Sequence, residues 1–113
     1  MRKHQIQTAA FDIATQVRAV EDTIDAALAE IAELQGRMVR ARATMGVGVA
    51  TGQDAFLKLG QTVTSLIGAR GDMASCHASL ATATQFVPGL RTVGFGDTTD
   101  CPNTASAELR IVA

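Results

Sequence analysis

Aromatic side chains are nearly missing from this 113-residue chain, which has four Phe and neither Trp nor Tyr. Any core must be built from small and aliphatic groups, a composition that suits close helix packing better than a β-sandwich. Cysteine is scarce too. Cys76 and Cys101 are too few and too far apart for a disulfide scaffold, and they point to a reducing compartment. No run of about 18 apolar residues occurs, so no transmembrane helix is expected. Neither sign of charge dominates: ten Lys and Arg against eleven Asp and Glu leave a formal net charge of −1. The chain as a whole therefore exerts no long-range pull on nucleic acid or an anionic membrane. Met1-Arg2-Lys3-His4-Gln5 is basic, but Asp12, Arg18 and Glu21 follow where a secretory leader would be apolar. The expectation is a soluble cytoplasmic protein without a signal peptide.

The chain does carry one long periodic segment. From Ile6 to Met45 apolar residues recur at alternating steps of four and three. In heptad letters, a is Ala10, Val17, Ile24, Ile31, Met38 and Met45, and d is Ile6, Ile13, Val20, Ala27, Leu34 and Ala41. Such a stripe specifies a long amphipathic helix packed against a partner helix. Gly36 falls at an outward f position, where it weakens the helix by about 1 kcal/mol relative to Ala and permits a bend. Acidic residues fill the middle of the segment and Arg37, Arg40 and Arg42 its end, where cations favour the negative pole of the helix dipole.

Three glycines within 46–52 interrupt the period. Gly46 suits the residue just past a helix C-terminus, and Thr51 or Asp54 could cap a second helix. A phosphate loop is not read there, because Gly52-Gln53 lacks the following Lys-Ser/Thr and comes after a helix rather than a strand. A second helix is expected over 53–86, stopping before Pro88-Gly89. Its stripe begins with Phe56, Leu59, Val63 and Leu66, but the same register then meets Arg70, His77 and Thr84. A polar seam is unfavourable, so the stripe is expected to rotate to Leu66, Ala69, Met73, Cys76, Leu80, Ala83 and Val87. Arg70 and His77 would then sit at the margin. Pairing the helices about the turn puts Glu21 opposite His77.

The fold expected is mainly α: a long antiparallel, coiled-coil-like helical hairpin over 1–87, with helices 6–45 and 53–86 and a turn at 46–52. Two such hairpins are expected to pair into a four-helix bundle. Residues 88–113 lose the period and are rich in Gly, Pro and Thr. Crude alternation over 90–95 and 108–112 admits two short strands in an otherwise irregular tail.

No catalytic set converges. Adjacent helical residues diverge by about 100°, so Cys76 and His77 are poorly placed to share a zinc ion with Cys101 or to act as nucleophile and base. Asp97-Thr98-Thr99-Asp100 is better explained by turn chemistry than as a calcium loop. The expectation is a non-enzymatic protein with no cofactor and no metal. Leu28, Ile67, Ala74 and Ala81 flank the two seams, which marks them as the candidate interface of a homodimer, with a further protein partner unidentified. Arg37, Arg40, Arg42 and Lys58 would gather near the turn, and a nucleic-acid-associated regulator is the alternative function they suggest. Without interleaved aromatics such a cluster gives only weak, salt-sensitive binding, so nucleic acid is not the expected partner.

Overall fold

The computed structural model describes residues 2–88. Within them α1 spans Arg2–Met45, α2 spans Gln53–Ala83, and a single 3₁₀ turn at Thr84–Phe86 ends the second helix. The two helices form a hairpin-like pair, and no strand occurs among the described residues. The segments 90–95 and 108–112, read as possible strands, lie outside the described residues. So do Cys101 and the 97–100 segment. α1 begins at Arg2, four residues before the first seam residue, because nothing in Arg2-Lys3-His4-Gln5 breaks a helix.

Glycine geometry sets the turn. Gly46 has φ 68°. Its N–H donates to the carbonyl of Ala43 at 3.2 Å and that of Val47 to the carbonyl of Arg42 at 3.3 Å. These are the paired bonds that satisfy the last carbonyls of a helix ending in a left-handed residue. Gly52, at φ 82°, occupies the N-cap position of α2, and its carbonyl accepts the N–H of Phe56 at 3.1 Å. That is the first intrahelical bond of α2, while the N–H of Gln53 is satisfied by the carbonyl of Ala50 at 3.2 Å.

The contacts divide the described residues into two compact units, one of residues 2–19 with 73–88 and one of residues 20–72. In the first, Ala14 and Val17 are buried, with Met73, Leu80 and Ala81 packed on them. His77 lies on the helical face of Met73 and Leu80 and is only 3% exposed. In the second, Phe56, Leu59, Val63, Leu66 and Ala69 of α2 are half-buried, as are Ile24, Ala27, Leu28, Ile31 and Met38 of α1.

Two features of the expected seams are corrected. The α2 stripe rotates only in part: Ala69 is half-buried beside the exposed Arg70, but Cys76 and Ala83 are exposed, whereas His77 is buried and Thr84 half-buried. The heptad that starts at Phe56 is therefore kept at His77 and Thr84 and left at Arg70. On α1 the inward face leans from d toward e. Ile13 is 47% exposed while its neighbour Ala14 is buried, and Leu34 is exposed as well. Gly36 is not open to solvent as its f position implied. The guanidinium of Arg40 lies over it, 3.1 Å from where a Cβ would stand.

Five threonines fold their hydroxyls back onto their own helix. Thr15, Thr44, Thr62, Thr64 and Thr82 each donate to the carbonyl four residues earlier, at 2.9 to 3.1 Å.

Candidate functional site

The polar seam positions of α2 are the first place to look for chemistry. Arg70 follows Leu66 at heptad spacing, and its Nε donates to Asp25 Oδ1 on α1 at 2.6 Å. That hydrogen bond, with the carboxylate's charge and a lesser contribution from Glu21, raises the Arg70 pKa above its ordinary value, partly offset by burial. The guanidinium is thus a permanent cation tied across the hairpin. Asp25 lies three residues from Leu28, the residue that turn-centred pairing sets against Arg70.

Each cation of the candidate basic cluster faces an acceptor, and two of them share one. Arg37 Nε bonds Glu33 Oε1 at 3.1 Å, and Arg40 Nη2 lies 3.7 Å from the same oxygen. Lys58 Nζ is 3.4 Å from Asp54 Oδ2, and Arg42 Nη1 donates to the carbonyl of Val47 at 3.2 Å. Each is thus directed at a group on its own helix or at the turn. The pairs are exposed, so each contributes little to stability.

The candidate interface residues divide between the units. Leu28 is half-buried and Ile67 is 57% exposed in the unit of 20–72. In the other unit, Ala81 packs on Ala14 and Val17 while Ala74 is exposed. Sequence reasoning missed further large apolar groups facing solvent, among them Phe11, Val39, Leu57 and Phe86. Their signal was available: each is a large apolar side chain standing off its helix's a/d register. An open hollow of about 720 Å³ runs along α2 beside Leu57, lined also by Phe56, Gly60 and Thr64.

Among the described residues no group of three or more His, Cys, Asp or Glu is arranged to hold a metal ion, and no helix is long and apolar enough to cross a membrane. No protein-family model matches the chain, and no curated protein or solved structure shows significant similarity to it.

Proposed function

We propose that the protein is a non-enzymatic helical-hairpin module that self-associates as a homodimer and serves as an assembly or adaptor element for a protein partner. One observation carries this reading. The buried apolar residues among those described are Ala14 and Val17, while Phe11, Ile13, Leu34, Leu57 and Ile67 face solvent. Large apolar side chains exposed in this proportion to a small core mark a surface that is covered in the working state. A two-fold pair of hairpins is the commonest closed way to cover one.

Light scattering at micromolar concentration should give about twice the chain mass of 11.8 kDa. Ile67→Glu should shift the distribution toward monomer with helical circular dichroism retained. A monodisperse, fully helical monomer of the unmodified chain would overturn the reading. Salt-sensitive capture of duplex DNA that is lost on replacing Arg37, Arg40 and Arg42 with Gln would put the nucleic-acid function in its place.

A further inference from the structure

Charge in the unit of residues 20–72 is confined largely to one side. With Phe56 as a on α2 and Ile24 as a on α1, the c, f and g positions hold Glu30, Glu33, Arg37, Arg40, Asp54 and Lys58. The ion pairs among these residues lie on that side. The b and e positions of the two helices share the other side, as antiparallel heptad pairing requires. The contact of Arg70, at a, with Asp25, at b, bridges the helices there. Between that pair and Arg42 the side carries no charge. Its members on α1 are Leu28, Ala32, Gln35 and Val39, and on α2 Leu57, Gly60, Thr64 and Ile67, with Gly71 next after Arg70 on the same side.

Three further features belong to this side. Val39, Leu57 and Ile67 are exposed, with Leu57 at 56%. The hollow beside Leu57 opens over Gly60. At Gly60 and Gly71, as at Gly68 on the outward f position, a Cβ would meet nothing within 4 Å beyond the local helix backbone, so nothing in the hairpin itself requires glycine there. Glycine inside a helix is costly, and close approach of another chain supplies the missing reason.

We propose that this uncharged side docks onto the same side of a second copy. The pairing is antiparallel about a two-fold axis close to Thr64, which sets Ile67 of each copy over Gly60 of the other and Leu57 over Gly71. The proposal rests on the self-association reading and specifies its surface. A two-fold contact must be self-complementary, and here each bulky side chain meets a position without one. Depletion of charge is the compositional mark of an interface core. The side runs from Leu57 to Gly71 on α2, about 22 Å of helix, and two helices side by side are about 20 Å wide. That is on the order of 440 Å² per copy and 900 Å² in total, the low end of specific contacts, so the dimer is a weak, concentration-dependent one.

The test uses the full chain. Gly60→Met with Gly71→Met adds good helix formers at positions open in the hairpin, so helical circular dichroism should be kept. The dimer dissociation constant from sedimentation equilibrium should rise at least tenfold. In a background of Cys76→Ser and Cys101→Ser, Thr64→Cys should form a disulfide-linked dimer under mild oxidation, and Thr62→Cys on the charged side should not. Unchanged dimerisation of the glycine variant, or cross-linking through Thr62→Cys in preference to Thr64→Cys, would place the second copy elsewhere and leave self-association standing. A monomeric unmodified chain would remove both readings together.

Discussion

His77 is the residue at which periodicity and polarity disagree. The heptad from Phe56 places it in the seam, while the usual aversion of a seam to polar groups moves it out and brings Cys76 in. The structure follows the period: His77 is 3% exposed and Cys76 is exposed. A polar a position costs stability but specifies register and orientation, whereas Arg70, the a position before it, is exposed and bonds Asp25 at the surface. His77→Ala should therefore cost about 2 kcal/mol through the cavity it leaves in a buried position. Cys76→Ala should stay within about 0.5 kcal/mol. Urea denaturation of the two variants measures the contrast, and the reverse ranking would restore the rotated seam.

Glycines decide the behaviour of the elements, and their positions give opposite expectations. At Gly36 an added Cβ meets only the far end of the Arg40 side chain, which is exposed and free to move aside. Gly36→Ala should stabilise α1 by up to about 1 kcal/mol. At Gly46, with φ 68°, any L side chain is strained and the bonds that end α1 depend on that conformation. Gly46→Ala should destabilise by about 1 kcal/mol or more. Thermal denaturation followed by circular dichroism should show the two midpoints moving apart. The helices themselves were legible, since both the Met45 terminus and the Gln53 start fall where the glycines predict. The lean of α1 from d to e was not. An ideal helix drifts about 20° per heptad from a strict seven-residue repeat, and the large Ile13 and Leu34 attract the template although Ala14 is the residue inside.

For the whole molecule, the organising fact is that each described unit pairs a stretch of α1 with a stretch of α2. The tail was legible only as a loss of period after Pro88, and that boundary leads to a prediction. A chain ending at Val87 should keep its helical circular dichroism and its oligomeric state, as read by light scattering. Unfolding of the shortened chain would make the tail part of the core. Exposure was legible at Ile67 and Ala74 among the candidate interface residues, while Leu28 and Ala81 are half-buried. It was not legible at Leu57 and Val39, because a template that seeks one seam per helix assigns every other apolar residue to chance.

The back-bonded threonines affect what water meets on these helices. A hydroxyl that donates to its own backbone carbonyl has its hydrogen already committed, so the group turned outward is largely the γ-methyl. Thr64 does this at the centre of the uncharged side, bonding Gly60. Counted by composition the side looks hydrophilic, yet its wetting is closer to that of valine. Dehydrating such a threonine strips little solvation and breaks no internal bond, so the surface can be dry in one state and tolerably soluble in another.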